Sequence, residues 1–287
     1  MSGAFFTLPP GTFIGENNRY KLLKAVGLGG FGVTYIAWDC LKGCNVAVKE
    51  CFPKEICVRD QATGKIKPKN PEQEAGMLKV LESMLMEIRS LQSLDHEAIV
   101  HIHDSIPPYF YVMDYLKGGS LKDKLLSEHP LSVELSIHYL RRLLGALGYL
   151  HQHNIIHRDI RPENIMFNDN DEPVIIDFGA ALDRGNRTIG AMTTQGAHSM
   201  DFCAIEQLSA GKIGPWTDFY ALSAVWYLLL TGQVYRPQAT PSLLDAGVCK
   251  VPYPHELLVL LQRNLSIPSA VRCQSVEDWY AAWPSGW

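Results

Sequence analysis

Ile155-Ile156-His157-Arg158-Asp159-Ile160-Arg161-Pro162-Glu163-Asn164, followed by Val174-Ile175-Ile176-Asp177-Phe178-Gly179, is the stretch whose reading decides the fold. Each half begins with a short apolar run that needs burial, and each run feeds directly into polar residues. Two carboxylates, Asp159 and Asp177, and one amide, Asn164, therefore stand at the exits of rigid, buried supports. A His-Arg-Asp or Asp-Phe-Gly tripeptide alone more often marks a strand end or an Asp-Gly turn. Here the order of the two, their separation and the placing of Asn164 between them form a constellation.

Such a constellation suits phosphoryl transfer, which needs an acceptor for a hydroxyl proton and oxygen ligands for Mg²⁺, all held in place before reaction. Asp159 is then the expected base, with Asn164 and Asp177 as metal ligands. These residues resemble the catalytic loop and metal-binding loop of the eukaryotic-like serine/threonine protein kinases. The resemblance covers roughly Tyr20 to Trp283. It implies an α+β, bilobal, protein-kinase-like fold: a small N-terminal antiparallel sheet with one helix, then a larger, mainly helical C-terminal lobe. It also implies ATP and Mg²⁺ (Mn²⁺ possible) as cofactors, protein hydroxyls as acceptors and autophosphorylation.

The composition is compatible with that size and narrows the setting. At 287 residues the chain can bury a large core. A formal net charge of −4 and a pI near 6.2 argue against general nucleic-acid or anionic-membrane binding. Electrostatics points to no particular partner and to no oligomeric state. Met1 to Pro10 lacks a basic segment followed by a long apolar core, so no secretory signal is read there. The apolar run Ala221 to Leu230 is too short to cross a bilayer and reads as a buried helix. Seven cysteines, an odd number, fit free thiols in a reducing, cytoplasmic compartment. Cys40, Cys44, Cys51 and Cys57 cluster without paired C-x-x-C spacing, which disfavours zinc.

Hydrophobic periodicity orders the elements. Residues 1–19 read as an irregular lead-in, and the domain runs from 20 to 287, with an N-lobe of about 20–113, a hinge of about 114–118 and a C-lobe of about 119–287. Strands are expected near Tyr20 to Val26, Thr34 to Asp39, Asn45 to Glu50 and Tyr109 to Tyr115. The polar segment from Cys57 to Gly76 reads as an inserted loop or small hairpin. Helices are expected from about Glu72 to Leu94 and Leu131 to His151, each with an apolar stripe, and from Asp218 to Leu230, apolar nearly all round.

Within the first lobe, Gly27-Leu28-Gly29-Gly30-Phe31-Gly32 lies between two expected strands, where missing side chains let backbone N–H groups approach phosphates. A dinucleotide-binding reading fails because a strand and not a helix follows. The kinase resemblance fits, with Thr34 in place of the usual valine against adenine and Ala47 beside it. It makes Lys49, in Val46-Ala47-Val48-Lys49, the contact to the α- and β-phosphates; without the other motifs an exposed edge lysine would be preferred. Glu87 is the chosen carboxylate partner because it shares a helical face with Val80, Met84 and Leu91, with Glu74 and Glu82 as rivals. Met113-Asp114-Tyr115-Leu116 resembles the hinge, Met113 guarding the rear of the pocket and the backbone of Asp114 and Leu116 facing adenine.

In the second lobe, Ala204-Ile205-Glu206 resembles Ala-Pro-Glu with Ile205 for proline, and Arg272 the arginine that pairs with that glutamate. Asp218 resembles the aspartate that bonds the catalytic-loop backbone. Each could instead be a helix cap or a surface charge. Together they favour a protein substrate over a small-molecule phosphotransferase, which has no comparable activation segment. A pseudokinase scaffold stays open because of Arg161, which replaces lysine with a planar fork at the γ-phosphate position, and Ile205. Ser199 stands where a threonine shapes the substrate pocket. Arg158, with Thr188, Thr193 and Thr194, forms a candidate phosphorylation switch. Glu50-Cys51-Phe52-Pro53 and the Gly-Gly-Phe-Gly-x-Thr-Tyr pattern resemble bacterial members of the family.

Overall fold

The computed structural model describes residues 7–28, 32–52, 56–60, 63–127, 131–178, 201–209, 211–237, 239–249 and 252–283, without the side chains of Val80, Ser83, Met84, Met86, Glu87 and Ser90. Its chain forms two compact units, Met1–Asp95 with Val100–Tyr115 and His96–Ile99 with Leu116–Trp287.

The first unit is a six-stranded antiparallel sheet in the order β1-β2-β3-β4-β8-β7. Its strands are β1 (Phe13–Ile14), β2 (Tyr20–Leu28), β3 (Gly32–Asp39), β4 (Cys44–Cys51), β7 (Ile102–Ile106) and β8 (Phe110–Asp114). Period-two alternation places Leu22, Val33, Tyr35, Ala37, Val46, Val48 and Val112 on one face, where they form a closed apolar core with Tyr20 and Phe110. The opposite face is buried over β4 and β8 as well. Register pairs Thr34 with Lys49, Ile36 with Ala47, and Ala47 with Met113, so these side chains lie in adjacent rows of that second face. Gly32, at φ +151°, admits no side chain, because a Cβ there would land on the carbonyl oxygen of Glu50.

The expected irregular lead-in requires a correction. Phe13 and Ile14 pair with Lys21 and Tyr20, and Gly11 N–H and Leu22 N–H close the ladder on Leu22 O and Thr12 O. A two-residue strand carries too little alternation to be read from sequence. The polar segment after β4 holds a hairpin, β5 (Cys57–Arg59) with β6 (Ile66–Pro68), before the helix α1 (Glu74–Leu91). Its anchor is a buried ion pair from Arg59 to Glu50 at 2.6 Å, with Tyr35 Oη donating to the same carboxylate at 2.9 Å.

The second unit contains α2 (Leu121–Ser127), α3 (Val133–Gln152), α4 (Ile205–Leu208), α5 (Pro215–Thr231), α6 (His255–Asn264) and α7 (Val276–Ala281). Ser132 caps α3 by accepting from Leu135 N–H at 3.2 Å, and Leu140, Leu144 and Leu147 on its inner stripe are fully buried. Helix α5 starts on Pro215 at its first position, ends on left-handed Gly232, and is buried on nearly all sides, as its uninterrupted apolar sequence requires. A short hairpin, β9 (Ile165–Phe167) with β10 (Pro173–Ile175), completes the unit. Among the described residues no helix is long and apolar enough to cross a membrane. All seven cysteines are free thiols.

Candidate active site

The β9–β10 hairpin explains why residues far apart in sequence meet. Asn164 immediately precedes β9 and Asp177 follows β10, and antiparallel pairing of Ile165 with Ile175 brings these two ends together. The ladder extends one step further, with Ile176 N–H donating to Asn164 O at 2.9 Å. On the β9 side, Asn164 Nδ2 donates to Asp159 Oδ2 at 2.8 Å and to Asp159 O at 2.9 Å. Since Nδ2 is committed there, Oδ1 is the atom of Asn164 left to act as an oxygen ligand.

The loop before Asn164 is held by buried polar groups. Asp218, fully buried in the first turn of α5, accepts from His157 N–H at 2.9 Å, from Arg158 N–H at 2.8 Å and pairs with His151 Nε2 at 2.9 Å. Burial pushes its carboxyl up, but these partners outweigh the penalty and hold it below the usual carboxylate range. His157 is buried, and its tautomer follows from its neighbours. Asp159 N–H donates to Nδ1 at 3.3 Å, so Nδ1 is unprotonated and Nε2 carries the hydrogen bonded to Ile176 O at 3.1 Å. The Phe178 ring packs edge-on against it at 5.0 Å. Arg158 and Asp177 adopt left-handed backbone, φ +66° and +61°. That conformation costs of order 1–3 kcal/mol for a residue other than glycine and persists only where surrounding bonds enforce it.

Burial raises the Asp159 carboxyl above the ordinary value, and the nearby negative charge of Asp177 adds to the rise, while Arg161 opposes it. The Asp177 carboxylate beside the Asn164 amide oxygen is a donor set suited to a hard divalent cation. Arg161 donates through Nε to Glu163 Oε2 at 2.9 Å, and Lys122 meets the same carboxylate at 3.0 Å. Burial alone would lift Glu163, but those two cations bring it down to about 2.

The anchor groups also meet. Arg272, fully buried, contacts Glu206 at 2.7 Å, and Thr217 Oγ1 donates to the same Glu206 oxygen at 3.0 Å. Arg272 further donates to Ser266 O at 2.7 Å and Ile267 O at 2.9 Å, and stacks on the Tyr220 ring. Ile205 is exposed, so the missing proline leaves no hole in the core.

In the sheet unit Lys49 lies in an interior strand and is 6% exposed, which excludes the exposed-edge alternative. Thr34, Ala47 and Met113 share its face. Gly27 and Leu28 end β2, and Gly32 opens β3. Asp114 closes β8 with its carboxylate 2.7 Å from His103 Nε2, a partner not anticipated from the sequence. Leu116 follows in the irregular segment after it. Gly29, Gly30, Phe31, the Glu87 side chain, Thr188, Thr193, Thr194 and Ser199 lie outside the described residues.

Sequence reasoning missed three functional partners. Glu163, Gln207 and Glu50 have no role assigned from the sequence, and the structure pairs them with Arg161, the Arg158 carbonyl and Arg59. Only the proximity of Arg161 to Glu163, two residues apart, offered a local signal.

Comparisons with known proteins agree with this geometry. The protein kinase domain model matches residues 20–251. Serine/threonine-protein kinase D of Synechocystis is 34% identical over 224 residues, which is 75% of this chain and 41% of that protein. Serine/threonine-protein kinase PrkC of Bacillus subtilis is 29% identical over 221 residues, 76% of this chain and 31% of that protein. The chain therefore spans less than half the length of these relatives. Among solved structures, PpkA-294 in its apo form superposes with a TM-score of 0.79 at 25% identity, covering 96% of this chain and 99% of the other.

Proposed function

The chain belongs to the protein kinase family, and from that premise we propose that it transfers the γ-phosphoryl group of ATP to serine and threonine hydroxyls of proteins, itself included. The observation that carries the proposal is the Asp159–Asn164–Asp177 group: a half-buried base oriented by an amide, with a second carboxylate close enough to perturb it.

Asp159 orients the acceptor hydroxyl and takes its proton as the oxygen bonds to phosphorus. Its Oδ2 is occupied by Asn164, which leaves Oδ1 for that proton. Asp177 and Asn164 Oδ1 would hold Mg²⁺, which when bound supplies positive charge against the phosphate oxygens. Arg161 adds a permanent cation for the γ-phosphoryl oxygens, and the fork geometry of its guanidinium is steadied by Glu163. Thr34, Ala47 and Met113 form the surface for adenine, the backbone of Asp114 and Leu116 its hydrogen-bonding edge, and Lys49 the cation for the α- and β-phosphates, with Glu87 as its partner. Catalysis on this account is positioning and charge stabilisation, with no covalent role for the protein.

The test is transfer of labelled phosphate from γ-labelled ATP with Mg²⁺ to the protein and to a generic basic protein, followed by acid hydrolysis. Phosphoserine and phosphothreonine are expected. Nucleotide binding without any transfer would overturn the proposal in favour of a scaffold.

A further inference from the structure

The peptide joining Arg158 to Asp159 sets the direction in which the base leaves the loop, and its carbonyl is not satisfied within the loop itself. It accepts a hydrogen bond from Gln207 Nε2, forty-nine residues later, at 2.8 Å. The N–H of the same peptide donates to His157 Nδ1, and the preceding N–H, that of Arg158, donates to Asp218. Three backbone groups around left-handed Arg158 are thus tied down, and one of those ties comes from α4.

The orientation of the Gln207 amide is unambiguous. Its Oε1 accepts from Ala204 N–H at 3.2 Å, so Nε2 must face the Arg158 carbonyl, and a flipped amide would set donor against donor and acceptor against acceptor. Gln207 follows Glu206, which is fixed by Arg272 and Thr217. A continuous path therefore runs from the buried Arg272–Glu206 anchor, through α4 and the half-buried Gln207 amide, to the backbone of the base.

We propose that Gln207 is a positioning residue for Asp159: its amide holds the Arg158–Asp159 peptide in the orientation that aims the carboxylate at the acceptor hydroxyl. The proposal rests on the protein kinase reading above. A simpler role exists, since a residue at the third position of a helix commonly reaches back to cap the first N–H. Capping uses only Oε1, however, and leaves the bond to Arg158 unexplained.

The two roles separate on Gln207→Glu. A glutamate caps at least as well as glutamine, but it replaces the donor at Arg158 O with a second acceptor. If Gln207 only caps, Gln207→Glu retains thermal stability and kcat. If it positions the base, the variant stays folded with the KM for ATP retained, while kcat falls about tenfold or more. Gln207→Met, which loses both bonds without adding charge, should also lower kcat and should speed hydrogen exchange at the Arg158 and Asp159 amides. A kcat within twofold of the parent in both variants, with unchanged exchange at those amides, overturns the proposal. The parent protein is assayed alongside: if it transfers no phosphate, the kinase reading fails, and the exchange measurement alone decides whether the clamp exists.

Discussion

Replacing Glu206 with methionine should destabilise the helical unit strongly, and the structure sets the scale. Its carboxylate is the counter-ion of a fully buried guanidinium at 2.7 Å. Removing one partner of a buried pair costs about 3–5 kcal/mol, because the survivor remains charged in a low-dielectric site. Arg272 keeps its bonds to Ser266 O and Ile267 O when Glu206 is lost, so Glu206→Met belongs at the lower end, about 3 kcal/mol. Arg272→Met also strips those carbonyls of their donor, adding about 1–3 kcal/mol for the unsatisfied groups. Once the cation is gone the glutamate has little left to stabilise, so the double variant should resemble Arg272→Met alone, a coupling of about 2 kcal/mol or more. Urea unfolding followed through the fully buried Trp226 and Trp279 reads these differences within the same unit. A fall of about 6–12 °C in Tm for Glu206→Met corresponds to the lower figure. A cost below about 1 kcal/mol, or strict additivity of the two changes, would refute the view of this pair as a desolvated anchor.

Three further outcomes are expected. The Glu163 carboxyl titrates at about 2 when folded against 4.5 ordinarily, so its stabilisation is complete above the ordinary value and disappears as pH falls toward 2; urea midpoints of the parent and Glu163→Gln should converge over that interval, and a pH-independent gap would contradict the assignment. Arg161→Ala should lower kcat about 100-fold while Arg161→Lys retains most activity; parental rates in the alanine variant would make Arg161 a structural partner of Glu163 only. Mass spectrometry of active protein should find phosphate on Thr188, Thr193 or Thr194 that is missing from Asp159→Asn, with a slower rate on Thr→Ala; full activity from unphosphorylated protein would remove Arg158 from any switch.

The candidate catalytic residues were legible because their chemistry is compressed into short motifs whose spacing survives without knowledge of the fold. Asp159, Asn164 and Asp177 needed only a hairpin between them, and the runs Ile155-Ile156 and Val174-Ile175-Ile176 announced buried supports. The long helices were legible because α3 and α5 bury enough of their surface to force a pattern. Elements with weak patterns were not. The strand β7 reads Ile-His-Asp-Ser-Ile and is mostly half-buried, so its alternation is diluted, and Phe13–Ile14 is too short to alternate at all. The polar network was hidden for a different reason. Gln207 is one glutamine among many until the loop of Asp159 is folded beside it, and Arg59 finds Glu50 only after the β5–β6 hairpin turns back on β4. Hydrogen bonds between side chain and distant backbone leave no periodic trace in a sequence.

The central claim is that Asp159 is the base of a phosphoryl transfer and not merely a loop-capping carboxylate. The direct measurement is Asp159→Asn in parallel with the parent protein, recording both nucleotide affinity and transfer of labelled phosphate from ATP with Mg²⁺. Asparagine keeps the shape and an acceptor oxygen for Asn164 but cannot take the hydroxyl proton. The account predicts unchanged nucleotide affinity with transfer reduced to background. Transfer at the parental rate by a variant that binds nucleotide normally would contradict it.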